Sequence, residues 1–541
     1  MPDNFWTVFN AETGDQNMEP GKLLMNEWMM ILFFILCISF WGFYLKEKAG
    51  TDLSSSFLAG RKVPGFIGSL STVATNMNAN DFIGGAGAVY AMGLVMLHQT
   101  YINCLVILFL SLFLMRKLRQ HNVFTLGEWL RKRYNNSVGN MYSIIWAFIW
   151  MLFNLGLYIY AGALVLHTLV GWNLYLSIVI LTLIAATYTL LGGFGAVVAT
   201  DVVQIFLMFF PFIFLVILIW QQVGSPGELL ASLPGNKADL WGKETPFGHL
   251  GITIFGMLFL SISYWGAEAQ ILQRPLSTKN PNQAAISYIG AGFWYALLSP
   301  LVIFIPALAA IKLFPGLPNN DFAVPMLIKT FLPPGLYGIT IVGLLAGIFS
   351  SCDSQINAFC TMFTTDIYKR MINPKCPENN LLKISKISGV IFTLAAIGTA
   401  LIFSYAENGM FLLAIGILAT IMPPFGAVTI LGAIWKRSSP RAAFSGLIAG
   451  FTIAIILFAL DLSGKLNFLA QDTLFFRAMI AFLTTSFYVV IISLFDSHHQ
   501  NVDQKKEKFY TKHWFNNPNI LGLILAITIV LMYILITVLS T

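Results

Sequence analysis

Ala74-Thr75-Asn76-Met77-Asn78-Ala79-Asn80-Asp81 puts five polar side chains into eight residues, in the middle of an otherwise apolar stretch running from 63 to 93. Gly84, Gly85 and Gly87 follow at once. Such a run cannot be a continuous helix facing hydrocarbon, because every polar group there needs a partner. Unwound backbone survives at membrane depth only where it is buried in protein or lines a cavity. Carbonyls freed at a break of this kind are ligands for a hard cation such as Na⁺. The plainer alternative is a polar helix kink that binds nothing.

The surroundings identify the solvent. Of 541 residues, 57% are hydrophobic and 10% charged, with a mean hydropathy of +0.75. Soluble chains carry about 25% charged residues. Crossing a bilayer takes about 20 apolar residues. Such stretches recur at 27–45, 63–93, 95–115, 141–168, 174–192, 202–221 and 250–273. Others follow at 285–311, 336–367, 384–405, 409–434, 443–460, 474–495 and 519–539. The sequence therefore predicts an all-α polytopic membrane protein with about 14 transmembrane helices. The boundary at Gly93–Leu94 has no polar loop to mark it.

Cytoplasmic loops retain Lys and Arg. Lys46, Lys48, Arg61, Arg116, Arg119, Arg131, Arg133, Arg274, Lys369, Arg370, Lys436 and the Lys505–Lys508 run all fall in one set of alternate loops. Lys22, Lys237, Lys243, Lys312, Lys329, Lys465 and Arg477 fall on the other side. This predicts both termini extracellular or periplasmic in a plasma (cytoplasmic) membrane. The net charge of +7 is then a topology signal, with the lipid bilayer as partner and no nucleic acid. The sequon Asn135-Asn136-Ser137 lies on the predicted inside, which favours a bacterial inner membrane. Cys37, Cys104, Cys352, Cys360 and Cys376 lie in spans or inside, so no disulfide is expected. Residues 1–26 are too polar for a cleavable signal. There is no phosphate loop, nucleophile elbow or transition-metal ligand set, and no loop long enough for a nucleotide-binding domain. The expectation is a non-enzyme, monomeric, with no cofactor.

Two further clusters break the apolar pattern. In Gly347-Ile348-Phe349-Ser350-Ser351-Cys352-Asp353-Ser354-Gln355-Ile356-Asn357, residues 350, 354 and 357 share a helical face, with Asp353 beside it. Serines alone could bond back to helix carbonyls, but an acid among them needs a partner, which favours a cation. Gly192-Gly193-Phe194-Gly195 through Thr200-Asp201-Val202-Val203-Gln204 predicts a turn entering the sixth span. Asp201 by itself reads as a helix N-terminal charge.

Taken in order, these segments resemble the sodium/solute symporter family, which includes sodium/glucose and sodium/proline cotransporters. The matching residues are Phe57-Leu58-Ala59-Gly60-Arg61, the Asn-rich break, Gly192-Gly193 with Thr200-Asp201-Val202-Val203-Gln204, and Tyr264-Trp265-Gly266 with Gln273-Arg274. Ser350-Ser351, Thr365-Asp366-Ile367-Tyr368-Lys369 and Ile434-Trp435-Lys436-Arg437 complete the set over roughly residues 55–440. The resemblance implies a LeuT-type core of two inverted five-helix repeats, each with a broken first helix. The repeats would be 63–221 and 250–434, separated by an extracellular loop 222–249. Residues 1–62 would hold a peripheral helix, and 435–541 three more with a cytoplasmic loop at 496–517. The second break is expected at Ser261-Ile262-Ser263-Tyr264.

The same resemblance implies a first sodium site at Ala74, Met77, Gly347, Ser350 and Ser351, and a second at Asp201, Ser350, Asp353 and Ser354. Asp353 departs from the family, where a small neutral or hydroxyl residue is usual. The two carboxylates predict either two sodium ions per solute or a proton carried by Asp353. Tyr264 matches the aromatic gate of the glucose branch; interfacial anchoring is its alternative. Asn154 matches a sugar-binding Asn, whereas Gln99, Thr100, Ala296 and Ile415 do not match the sugar-contacting pattern. Candidate solute ligands are Asn78, Asp81, Gln99, Asn154, Ser261, Tyr264 and Glu268, with His98 read as a satisfied polar residue. The implied function is sodium-coupled import of a small polar solute by alternating access. An Asn-rich cavity without Arg favours a neutral sugar or polyol over an amino acid or carboxylate. A solute sensor or passive uniporter is the rival of another class.

Overall fold

Leu-, Ile- and Phe-rich runs of this length satisfy their backbone only as helices once water is excluded. The computed structural model is described for residues 23–45, 52–78, 80–240, 250–405, 410–466, 473–496 and 517–540. Among them no β-strand occurs beyond a single bridge between Val63 and Thr278.

The main helices are α1 (Met25–Leu45), α2 (Gly65–Asn76), α3 (Ala86–Met92), α4 (Leu97–Leu110), α5 (Met151–Val165) and α6 (Leu174–Val223). Next come α7 (Leu250–Ala267), α8 (Ala269–Leu276), α9 (Pro281–Ser299), α10 (Leu336–Met362) and α11 (Glu378–Phe403). The last are α12 (Met410–Ile434), α13 (Pro440–Leu462), α14 (Thr473–Phe495) and α15 (Pro518–Ser540). Helices occupy every stretch that the apolar pattern marks. Among the described residues, nine are long and apolar enough to cross a membrane on length and composition. The predicted termini and the 496–517 loop lie mostly outside the described residues.

The centre is built from α2, α6, α7, α9 and α10. α6 packs along α10 and α2 along α9. The α2–α9 seam is close because small residues face each other: a Cβ on Gly290 would sit 2.7 Å from the Ser69 Cβ. Small residues are what let helices approach without a hydrophobic drive between them. α1 lies against α6, α15 against α9, and α13 pairs with α14 beside α12.

The first break lies where the Asn-rich stretch predicts it. α2 stops at Asn76 and Met77 is extended (φ −87°, ψ 94°). The Asn78 N–H turns to Asp81 Oδ2 (3.3 Å) and the Asn80 N–H to Asn78 Oδ1 (2.8 Å), away from the helical carbonyls. Local side-chain acceptors thus compete the backbone out of the helix. A wide helical turn, Asn80–Gly85, then leads into α3. The hairpin to α4 turns at Gly93 (φ 80°), where the Lys237 backbone leaves no room for a Cβ.

Three sequence-based positions are corrected. The second break is at Glu268 (φ −70°, ψ 114°), not at Ser261–Tyr264. α7 runs unbroken through the serines because Ser263 Oγ bonds its own helix at Phe259 O (2.7 Å). At Glu268 the freed carbonyls find other donors: the Tyr142 hydroxyl donates to Ala267 O (2.6 Å) and the Tyr288 hydroxyl to Trp265 O. In α6 only Gly193 is non-helical (φ 65°, ψ 178°), so Asp201 sits two turns inside a helix and is not an N-terminal charge. Finally, Arg274 is not a loop residue, whereas Arg477 falls within its predicted span. Arg274 is fully buried on α8, and Arg477 lies on α14, paired with Asp461 at 3.2 Å.

The Thr365–Lys369 motif has a structural explanation. The helical path of α10 continues to Ile372, where Asp366 pairs with Arg131 (3.1 Å) and accepts from Thr125 Oγ1 (2.5 Å) and Ser143 Oγ (2.9 Å). A buried charge with this many partners holds this end of the α10 path to its neighbours.

Candidate solute cavity and cation sites

The first helix break opens onto a central space. A cavity of about 130 Å³ is bounded by the end of α2, the Asn80–Gly85 turn, α4, α5, α7, α12 and α14. Asn78, Asp81, Gln99, Asn154, Ser261 and Tyr264 all line it, so six of the seven expected solute residues come together. Glu268 does not line it. It lies at the second break, where its Oε2 accepts from Trp150 Nε1 (2.5 Å), and Trp150 in turn is a wall residue.

Sequence reasoning missed Asn76, Asn80, Asn103, Tyr158 and Tyr295, which also line the cavity. A signal existed for four of them: Asn76 and Asn80 belong to the Asn-rich break itself, and Asn103 and Tyr158 each stand one helical turn after an expected residue, Gln99 and Asn154. His98 is turned elsewhere, its Nε2 bonded to Leu240 O (2.8 Å).

The polar wall is partly self-satisfied. Gln99 Nε2 donates to Ser261 Oγ (2.8 Å) and Asn103 Oδ1 (3.3 Å), and Asn154 Nδ2 to the Tyr158 hydroxyl (3.1 Å). Gln270 Nε2 also donates to Tyr158 (2.8 Å), joining α8 to the network. Tyr264 spans the two broken helices through its hydroxyl, which donates to Asn76 Oδ1 at 2.7 Å. Two buried acceptors, Asn80 Oδ1 and Gln99 Oε1, have no partner among the described residues. Buried polar atoms are rarely left unpaired, so these two are candidate contacts for a solute.

Directly beside the cavity, α10 presents its serine face to the end of α2. Ser351 Oγ donates to Thr75 O (2.9 Å), and Ser354 Oγ lies 3.0 Å from Thr75 Oγ1. A Cβ on Gly347 would stand 3.4 Å from Asn78 Cα. The segments carrying Ala74, Met77, Gly347, Ser350 and Ser351 are therefore adjacent, with Thr75 an unexpected member.

Asp201, Ser350 and Ser354 also converge, but around a guanidinium. Arg274 Nη2 pairs with Asp201 Oδ2 (3.1 Å) and donates a short bond to Ser354 Oγ; its Nε reaches Ser71 Oγ (3.1 Å) and its Nη1 Gln270 O (2.6 Å). Ser71 Oγ and Ser350 Oγ donate to the two Asp201 oxygens, each at 2.5 Å. Asp353 accepts a short bond from Thr189 Oγ1 of α6. The cation beside Asp201 is thus supplied by the chain itself.

Comparison with known proteins agrees with this architecture. Residues 56–450 match the sequence model described as the sodium:solute symporter family. The sodium/glucose cotransporter of Vibrio parahaemolyticus is 25% identical over 537 residues, covering 92% of this chain and 96% of its own. Sodium/myo-inositol cotransporter 2 of Sus scrofa is 28% identical over 488 residues, covering 82% and 71%. Among solved structures, a Na⁺-coupled sialic acid symporter in a substrate-bound outward-open state superposes with a TM-score of 0.75 at 20% identity. That match covers 88% of this chain and 99% of that one, a likeness of fold.

Proposed function

Because the chain belongs to the sodium:solute symporter family, we propose that it imports a neutral sugar or polyol together with sodium by alternating access. The carrying observation is the pair of unpartnered acceptors, Asn80 Oδ1 and Gln99 Oε1, in a cavity lined by amides and tyrosines. Hydroxyl donors satisfy such acceptors; a carboxylate, which only accepts, does not. Among the described residues no Arg lines the cavity, and the buried Arg274 is engaged by Gln270 O and Asp201. About 130 Å³ lies below the roughly 300 Å³ at which drug-sized pockets begin, so the solute is small. The glucose and myo-inositol cotransporters named above agree with this class.

In this reading the protein spans a bacterial inner membrane fourteen times, with both termini outside. Residues 63–221 and 250–434 form the inverted repeats. Sodium binds at Ala74, Met77, Gly347, Ser350 and Ser351. Oxygen ligands without much formal charge suit a hard monovalent ion. Arg274, paired with Asp201, occupies the second position, so the reading is one sodium per solute, with Asp353 engaged as a structural acid beside Thr189.

The test is thermal stabilisation of purified protein by a panel of neutral polyols, monosaccharides, amino acids and carboxylates, with and without sodium. A ligand at 100 times its Kd stabilises by about 2.7 kcal/mol. Neutral polyhydroxylated compounds should raise the midpoint, and more so with sodium. A response confined to carboxylates or amino acids would overturn the solute class. A response indifferent to sodium would favour the uniporter or sensor.

Tyr264 is assigned the gate, because it closes the space between the breaks and its hydroxyl bond to Asn76 is worth about 1 kcal/mol. Tyr264→Ala should weaken solute retention by about tenfold or more with little change in thermal midpoint. Wild-type solute affinity in this variant would support simple anchoring.

A further inference from the structure

A second cavity lies on the opposite side of α6, away from the solute path. It holds about 410 Å³ between α1, α6 and α10, and Met30, Phe34, Val203, Leu207 and Val342 form its apolar walls. Its outer rim is exposed: Phe33 and Val203 are 68% and 59% accessible, and on a membrane protein these side chains face acyl chains. One wall residue breaks the pattern. Gln204 is 1% exposed, and neither its Nε2 nor its Oε1 has a hydrogen-bond partner among the described residues. Gln204 stands near the middle of the apolar segment Gly193–Val223, at a depth where no bulk water can pair it.

We propose that this cavity binds a neutral membrane amphiphile through one hydroxyl or carbonyl oxygen paired with the Gln204 amide. The amide offers both donor and acceptor, so either oxygen type is recognised. Among the described residues the walls carry no Lys, Arg, His, Asp or Glu to pair a charged headgroup. Water is a poor occupant because it needs two to four polar partners. The other polar wall group, the Thr200 hydroxyl, is already bonded to Ala196 O and Val197 O (3.1 and 2.9 Å). The volume falls in the range that encloses a compact organic ligand. Gln204 also stands one turn from Asp201 on α6, so an occupant would brace the helix segment that carries the buried ion pair. This site is independent of which solute the central cavity takes.

The probe is farnesol, a neutral prenyl alcohol, compared with farnesene, the hydrocarbon of the same skeleton, on the full-length purified protein. Farnesol should raise the thermal midpoint of the wild type and farnesene should not. Gln204→Leu should remove the distinction between them. Cys37 is exposed on the cavity wall, so farnesol should also slow its alkylation by N-cyclohexylmaleimide several-fold, read by peptide mass spectrometry. Equal effects of alcohol and hydrocarbon on the wild type would overturn the proposal. So would an undiminished alcohol preference in Gln204→Leu, or unprotected Cys37 under saturating farnesol, a measurement that does not depend on the variant folding.

Discussion

Asp201→Asn should lower the thermal midpoint of the protein sharply and abolish transport, whereas Asp201→Asn combined with Arg274→Gln should regain much of the stability. The reason is burial. Arg274 and Asp201 are both fully shielded from solvent and paired at 3.1 Å. Removing one partner of a buried pair strands the other charge, at a cost of about 3–5 kcal/mol. Replacing both by neutral polar groups leaves no stranded charge, and the hydroxyls of Ser71, Ser350 and Ser354 can rearrange around amides. The double-mutant cycle separates the pairwise energy from the individual losses. Transport stays lost in both variants if the pair also fixes the inner half of the core. If Asp201→Asn is as stable as the wild type, Arg274 is not held by Asp201 in the working protein. The second position would then be open to a sodium ion. The reversal potential of the wild type discriminates the same alternatives: one sodium per solute accords with Arg274 in place, two with its displacement.

The sequence exposed the first break more clearly than the second, and the difference is physical. Asn78 and Asp81 have side chains short enough to take the backbone N–H groups of their neighbours, Asn80 and Asn78, so polarity and unwinding coincide there. Ser261 and Ser263 are polar too, but a serine hydroxyl can return to a carbonyl of its own helix, and Ser263 does. Glu268 breaks the helix instead because Tyr142 and Tyr288, far away in sequence, supply hydroxyls to the freed carbonyls. No local pattern announces such partners. The same limit applies to Arg274. Loop counting assigns basic residues to the cytoplasm, and only the fold brings Asp201 from another helix to neutralise one inside the core. Six of the expected cavity residues were legible because polar side chains in apolar spans are few. Tyr295 and Trp150 were not, since aromatic residues in such spans are common and carry no signature of facing a cavity.

Ser351→Ala should raise the sodium concentration needed for half-maximal uptake by about tenfold or more, with the maximal rate less affected. Ser351 is a cleaner probe of the proposed ion site than Ser350, whose hydroxyl also serves Asp201. The Ser351 hydroxyl faces the Thr75 carbonyl at 2.9 Å, at the point where α2 ends and its carbonyls lose helical donors. An oxygen that contacts a charge contributes about 1.5–3 kcal/mol, and each 1.4 kcal/mol is a factor of ten in affinity. Alanine removes that oxygen, leaves the helix intact and adds no bulk. Ser351→Thr keeps the oxygen and should retain most of the sodium affinity, which separates ligation from packing. Potassium should not replace sodium in either protein. By linkage, the solute affinity of Ser351→Ala should fall only where sodium is limiting and return at high sodium. Sodium titrations of solute binding and of uptake in proteoliposomes measure both quantities. Identical half-maximal sodium in the wild type and Ser351→Ala would move the coupling ion away from the junction of α2 and α10.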